Sequence, residues 1–367
     1  MAFIVFLPSS RAAPPVLMTS NNIALQVWQE LIVRRHLGAS TVNIIKDVAP
    51  WIDQARTYFL DAAKSDWRSG GLLYYYSFLN AAKALLAERG IVPAASLRTT
   101  SIYHGLAANA QSIANLTEFV FQVFPARSPS GCNVFSSFYE IVTGNKWPFA
   151  VPISIKVSDI IGFSIDISTE TTMVYGIPSK FSETQSLLRI AGNQAWFEMV
   201  VSAGMASMVQ SEVAPWKLTA VGADKMDQTD KSDWLASHYR TATSFSDQTL
   251  LRSDKMASGA INTLAAEASK IMDPFSVPTV FASPIGDKWF FVPRIELAGQ
   301  RLKWHPMLTD YLFAFVLSTI LRYQPHLLER GDKNHFVGEA WCMQAPLTVC
   351  RYLLMLVTEP PVRIQSY

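Results

Sequence analysis

The chain has 367 residues, half of them hydrophobic and 16% charged. That balance excludes a disordered chain and fits one large domain or two, each with a sizeable core. Lysine and arginine number 31 against 29 aspartates and glutamates, so net charge makes no case for nucleic acid or an anionic membrane as the dominant partner.

Residues 1–19 read as a tail. The run in MAFIVFLP has no basic residue before it and is shorter than a signal-peptide core, and Met18 reads as an alternative start. Residues 20–145 carry helical periodicity. Asn21 and Asn22 are caps for a helix through IALQVWQELIVRRHL that stops at Gly38. Ser40 or Thr41 opens a second, TVNIIKDVAPWIDQARTYFLDAAK, broken near Pro50. The third, GGLLYYYSFLNAAKALLAERG at 70–90, organises the rest. Leu72, Tyr75, Tyr76, Leu79, Ala82, Lys83 and Leu86 share one face, and Leu73, Phe78, Ala81 and Leu85 make another. A helix apolar nearly all round is buried on most sides. Gly70 and Gly71 open it and Gly90 closes it. Within it, Asn80 is expected to bond a neighbouring backbone group and Lys83 to reach outward along its aliphatic stem.

Residues 91–109 read as a loop, QSIANLTEFVFQVF at 111–124 as a helix, and NVFSSFYEIVTG at 133–144 as a short helix ended by Gly144. The texture changes over 146–300. VPISIKVSDIIGFSIDIS and MVYGIPSKF mix alternation with Pro and Gly breaks, while LLRIAGNQAWFEMVVSA and PWKLTAVG read as strands. ADKMDQTDKSD is a solvated segment, SDWLASHYRTA a helix, and TVFASPIGDKWFFVPRIEL a hairpin turning at Pro284–Asp287. Residues 301–367 return to helix: HPMLTDYLFAFVLSTILRYQPHLLER, with Pro306 in its first turn, then AWCMQAPLTVCRYLLMLVTEPP, kinked or broken at Pro346.

The expected fold is therefore α+β, mainly α. A helical bundle covers 20–145, a small antiparallel sheet lies within 146–300, and the C-terminal helices at 305–328 and 336–358 pack back on the bundle, because their apolar faces are too large to stay in water. The expected core includes Trp28, Leu31, Leu72, Tyr76, Leu79, Leu86, Phe138, Phe313, Leu317 and Leu321.

Cys132, Cys342 and Cys350 form no C-x-x-C pair, which points to a reducing compartment, taken as the cytoplasm. His36, His104, His238, His305, His326 and His335 do not pair at metal-ligand spacing, so neither metal nor cofactor is expected. Apolar runs such as YLFAFVLSTIL are too short to cross a bilayer, and no membrane partner is expected. There is no phosphate-cradling glycine loop, no H-E-x-x-H and no G-x-S-x-G. The candidate catalytic pair is Arg98 and His104 in RTTSIYHG. A histidine trades a proton near neutral pH and an arginine stabilises a pentavalent phosphorane, which together suffice for metal-independent RNA cleavage by the 2′-hydroxyl. The alternative is that His104 packs or caps while Gly105 makes a turn. A second such pair is Arg330 and His335, in a surface loop; Arg322 and Tyr323, in RYQPH, read as ties between a helix end and the rest of the molecule.

With these residues in view, the chain resembles the YaaC-like protein family. The matching pieces are WQEL at 28–31, YYYSFLNAAKALL at 74–86, HGL at 104–106, NVFSSFYEIVTG at 133–144 and HPMLTDYLFAFVLSTILRYQP at 305–325. Its N-terminal helices resemble the HEPN superfamily of helical bundles. Members of that superfamily include ribonucleases with an Arg a few residues before a His, and inactive binding bundles, often encoded in bacterial antiphage and toxin–antitoxin loci. The resemblance implies two functions. One is a non-catalytic interaction or regulatory component of a bacterial antiphage defence system, working with a protein partner encoded nearby. The other is a HEPN-like metal-independent ribonuclease, with Arg98 steadying the phosphorane, His104 as general acid or base, Tyr103 stacking on a base, and a homodimer completing the site. RNA is a partner only under that second function.

Overall fold

The computed structural model describes residues 3–6, 28, 42–92, 102–109, 111–125, 132–191, 193–221, 248–257, 276–278, 289–329 and 332–357. They fall into two units, Met1–Leu17 with Lys180–Arg294, and Met18–Ser179 with Ile295–Tyr367. The fold is mixed α+β, mostly helical, with antiparallel sheet. Strand β1 (Phe3–Phe6) belongs to the first of these units. The residues that read as a tail thus include a paired strand.

The helical unit begins with α1 (Val42–Ala62), which runs through Pro50 without a break. Proline costs a helix interior about 3 kcal/mol. Here that cost is offset by burial of Val48, Ala49, Ala55 and Phe59. Helix α2 (Trp67–Glu88) follows, started by Asp66, whose carboxylate accepts the Arg68 N–H at 3.0 Å. Gly70 and Gly71 therefore lie inside the helix and do not open it. Their missing side chains allow close packing: a Cβ on Gly71 would stand 2.7 Å from Leu321 Cδ1 and 3.4 Å from Cys342 Sγ. The two helices are joined by Ser77 Oγ donating to Ala55 O at 2.8 Å and by the stacked rings of Tyr58 and Tyr76, 5.3 Å apart.

Next come β2 (Ile102–Tyr103), β3 (Leu106–Ala107), β4 (Val120–Val123), β5 (Cys132–Asn133), α3 (Val134–Thr143), β6 (Ile153–Lys156) and α4 (Ser168–Tyr175). Strands β3, β4 and β6 form an antiparallel sheet, and β2 pairs with β5 in parallel. The helix expected over 111–124 is not there. One 3-10 turn at Leu116–Glu118 leads into β4, where Phe121 and Val123 are buried and Val120 and Gln122 exposed. That period of two is a strand's, and it outweighed the helical spacing read across the longer window. Helix α3 is as expected, with Asn133 as cap and Gly144 at φ 72° as stop.

The sheet unit contains β7 (Ser182–Ala191), β8 (Gln194–Ser202), α5 (Ala206–Glu212), β9 (Thr219–Val221), β10 (Gln248–Arg252), β11 (Met256–Ala257), β12 (Ser276–Pro278) and β13 (Trp289–Phe291). The strand order is β12-β13-β7-β8-β10-β9, with β1 on β7 and β11 on β8. All of these pairs are antiparallel, and the eight strands make a larger sheet than expected. β12 and β13 pair across the expected hairpin, Ser276 opposite Phe291; its turn at 284–287 and the helix expected at 232–242 lie outside the described residues. Phe197, Met199 and Val201 alternate along β8 into a core with Val209, Trp216 and Leu251.

The chain then returns to the helical unit as the hairpin β14 (Ile295–Leu297) and β15 (Gln300–Leu302), followed by α6 (Pro306–Tyr323) and α7 (Lys333–Val357). Both helices pack back on α2. Tyr75 meets Tyr311 and Phe315 at centroid distances of 6.1 and 5.9 Å, and Phe78 meets Trp341 at 5.7 Å. Helix α7 continues through Pro346. Of the expected core, Trp28, Leu79, Leu86, Phe138, Phe313 and Leu317 are buried. Leu72, Tyr76 and Leu321 are half-buried, and Leu31 lies outside the described residues. The fully buried tyrosine of the YYY run is Tyr75. No helix among the described residues is long and apolar enough to cross a membrane.

Truncating Leu79 to alanine opens a cavity in the middle of this packing and is expected to destabilise by roughly 2–5 kcal/mol. Denaturant unfolding of Leu79→Ala checks this; an unchanged midpoint contradicts the packing of α2.

Candidate functional site

His104 is held from its backbone outward. The His104 carbonyl accepts the Phe135 N–H at 3.3 Å, and the Gly105 carbonyl accepts the Phe124 N–H at 2.9 Å. Beneath them Asn133 donates to the carbonyls of Phe124 and Pro125 at 2.9 and 3.0 Å and accepts the Ser136 N–H at 3.2 Å. Gly105 has φ +80°, and a Cβ there would lie 1.8 Å from Asn133 Oδ1. Only glycine fits this turn. The turn seats His104 between the start of α3 and the edge of β4.

The imidazole reaches the surface, but one edge faces inward: Nδ1 lies 2.5 Å from the hydroxyl of buried Tyr75, with the rings stacked at 5.9 Å. Burial pushes the Tyr75 phenol well above its ordinary range, so it stays protonated. A buried O–H left without an acceptor is costly, so the Tyr75 proton goes to His104 Nδ1, its hydrogen-bond partner. On this network the neutral ring carries its own proton on Nε2.

Two cations join it. Burial first, then Lys83 and Arg322, push the His104 pKa below its ordinary value of 6.5. Lys83, on α2, is half-buried and lies over the Trp51 ring at 4.7 Å; burial disfavours its ammonium form. It also acts on Cys132, whose thiol burial pushes up. Arg322, in the last turn of α6, is exposed, donates from Nε to Ser318 O at 3.1 Å, and stands over the Tyr323 ring at 5.1 Å. Both charges acting on His104 are positive. Such charges favour an anion nearby over a metal cation. Among the described residues no group of His, Cys, Asp or Glu is placed to hold a metal ion.

The sequence pairing of Arg98 with His104 is not reached, because Arg98 lies outside the described residues, as does Arg330 of the second pair. His335 is described elsewhere, edge-on to Trp67 at 5.0 Å and 3.4 Å from Glu339. The structure instead brings to His104 a lysine from the central helix and an arginine from the C-terminal one. Each stands out singly in the sequence, Lys83 as a charge inside an apolar helix and Arg322 at a helix end. The missing signal was their adjacency, across long sequence separations. Asn80 does bond a neighbouring carbonyl, that of Tyr76, at 2.8 Å.

The family model described as "YaaC-like Protein" matches residues 40–357. The chain belongs to the YaaC-like family. Neither a curated protein nor a solved structure matches it. The family match spans both α2 and α6, so Tyr75, Lys83, His104 and Arg322 all lie inside the YaaC-like region.

Two outcomes follow. Gly105→Ala combines left-handed strain with loss of the Asn133 cap and is expected to lower stability by about 2–3 kcal/mol, read from denaturant melts; a silent substitution contradicts the turn. The second concerns pH. The folded protein binds the His104 proton less readily than the unfolded chain. This contribution to stability is therefore full above pH 6.5 and is lost as pH falls through that value. Glu88 acts in the opposite sense, since burial raises its carboxyl from 4.5 to about 7, and its contribution is lost as pH rises across that window. The readout is thus the difference between wild type and His104→Gln. That difference is expected to change below pH 6.5 and to be flat above it; a difference flat throughout contradicts the depressed histidine.

Proposed function

We propose that this YaaC-like chain is a non-catalytic interaction component of a bacterial antiphage defence system, that its helical unit is HEPN-like, and that the His104 site holds the phosphate backbone of single-stranded RNA. One observation carries the reading: Lys83 from α2 and Arg322 from α6 both act electrostatically on the His104 imidazole, and both charges are positive. Phosphate is the biological anion that lysine, arginine and an imidazole N–H together suit. Tyr103 and Tyr323, 42% and 66% exposed, adjoin His104 and Arg322 along the chain and offer rings for base stacking. Holding rather than cutting follows from protonation. A neutral imidazole with Nδ1 engaged by Tyr75 is a donor at Nε2, whereas cleavage by the 2′-hydroxyl needs a base. The HEPN resemblance supports the defence setting and an effector partner encoded nearby, and the cysteine usage supports the cytoplasmic location.

The ribonuclease reading is favoured by one feature, Lys83. Burial disfavours its ammonium, and a free amine there would take the 2′-hydroxyl proton, with His104 serving the leaving oxygen and Arg322 in the role the sequence assigned to Arg98. The Trp51 ring over Lys83 opposes this by favouring the charged form. A homodimer belongs to this second reading.

Fluorescence anisotropy with a labelled single-stranded RNA in EDTA, followed by electrophoresis of the same sample, separates the two. The expected result is saturable binding and intact RNA, with Lys83→Ala and Arg322→Ala each weakening affinity about tenfold, the worth of roughly 1.4 kcal/mol. Absence of binding overturns the proposal. Cleavage that His104→Ala abolishes without change in melting temperature puts the ribonuclease first.

A further inference from the structure

Arg322 and His104 come from elements far apart in sequence, and a specific bridge connects them. Helix α6 ends at Gln324, whose backbone N–H still donates to Ile320 O at 2.8 Å, and Pro325 prevents the helix continuing. The Gln324 side chain is 7% exposed. Its Oε1 accepts the Gln111 N–H at 3.0 Å and its Nε2 donates to the Gln111 carbonyl at 2.5 Å. Gln324 thus pairs with the backbone of Gln111 as a neighbouring strand would. Gln111 repeats the device: its Oε1 accepts the Val120 N–H at 2.8 Å and its Nε2 donates to the Val120 carbonyl. Val120 opens β4, which pairs with β3, and β3 directly follows the His104–Gly105 turn.

We propose that Gln324 is a positioning residue of the His104 site. With Gln111 it forms a two-amide bridge that fixes the end of α6, and hence Arg322, relative to the sheet edge that carries His104. The inference rests on the anion-site reading for its functional meaning, but the bridge itself stands on geometry. Each carboxamide holds one backbone residue through both its nitrogen and its oxygen, Gln111 Nε2 donating also to the Asn109 carbonyl at 3.3 Å, so neither can rotate without breaking at least two hydrogen bonds. A helix end needs only its carbonyls capped; nothing in capping requires this side chain to reach across 213 residues of sequence. Arg322 lies two residues before Gln324, and its Nε is tied to Ser318 O. Its guanidinium therefore moves with the helix end, and Lys83, on α2, does not.

The test uses the full chain and needs no ligand. The His104 ring is titrated by NMR in wild type, Arg322→Ala, Gln324→Leu and the double variant. Arg322→Ala removes a cation and raises the His104 midpoint. Gln324→Leu is expected to raise it in the same direction, and to add nothing further in the Arg322→Ala background, where Lys83, Tyr75 and burial continue to act. An unchanged midpoint in folded Gln324→Leu overturns the proposal, as does an equal further shift in the double variant. If Gln324→Leu does not fold, Gln111→Met breaks the bridge at its other amide, and the same two outcomes decide. RNA affinity is measured on the same samples. A shifted titration without any RNA binding by wild type leaves the positioning role standing and removes the anion-site reading; an unshifted one with RNA binding intact does the reverse.

Discussion

The structure turns on the burial of the Tyr75 hydroxyl. Helix α2 is enclosed by α1, α6 and α7, so each polar group on its buried faces needs a partner inside the protein. Ser77 uses the Ala55 carbonyl of α1 and Asn80 the Tyr76 carbonyl of its own helix, both backbone partners on the neighbouring helical framework. Tyr75 uses a side chain instead. Its ring packs against Tyr311 and Phe315, and its hydroxyl meets His104 Nδ1. A core requirement, satisfying one hydroxyl, thereby sets the orientation and proton position of a surface histidine. The fold and the site are joined at that atom.

The same enclosure explains the rest of the cluster. Lys83 lies two turns along α2 from Tyr75, so its aliphatic stem runs beside the packed rings and its ammonium emerges over Trp51. Arg322 arrives because α6, buried over nearly its whole length, can lie only where Gly71 lets it approach. Two positive charges from separate helices act on one imidazole, a surface potential that favours an anion over a cation.

The helical part of this fold was legible because α2, α3 and α6 are long, strongly apolar and well capped: Asn133 and Gly144 frame α3 as read from the sequence, and Pro306 starts α6. What was missed has local causes. Pro50 and Pro346 sit in helices that tertiary burial carries past a proline. VFQV at 120–123 hid a period of two inside a window that also counts as helical. Gly70 and Gly71 looked like a helix start, yet the use of Gly71 is close approach to a partner helix 250 residues later. The site was half legible. His104 stood out by residue type, and its turn glycine beside it. Lys83 and Arg322 were visible as anomalies, a charge in an apolar helix and a cation at a helix end, but a linear sequence holds no sign that they share a neighbour. The Gln111–Gln324 bridge had no signal: Gln324 lies in RYQPH, where Arg322 and Tyr323 drew the reading, and Gln111 opened a stretch that read as helix.

Tyr75→Phe, followed by the nitrogen chemical shifts of the His104 ring, is the most direct measurement of this link between core and site. The substitution keeps the ring packing and removes only the oxygen. The expected result is a protein that loses no more than about 1–2 kcal/mol of stability while His104 changes from a single Nε2–H tautomer to a mixture of both. An unaltered His104 spectrum in a folded Tyr75→Phe protein would contradict it, because the histidine would then owe its state to something other than the buried tyrosine.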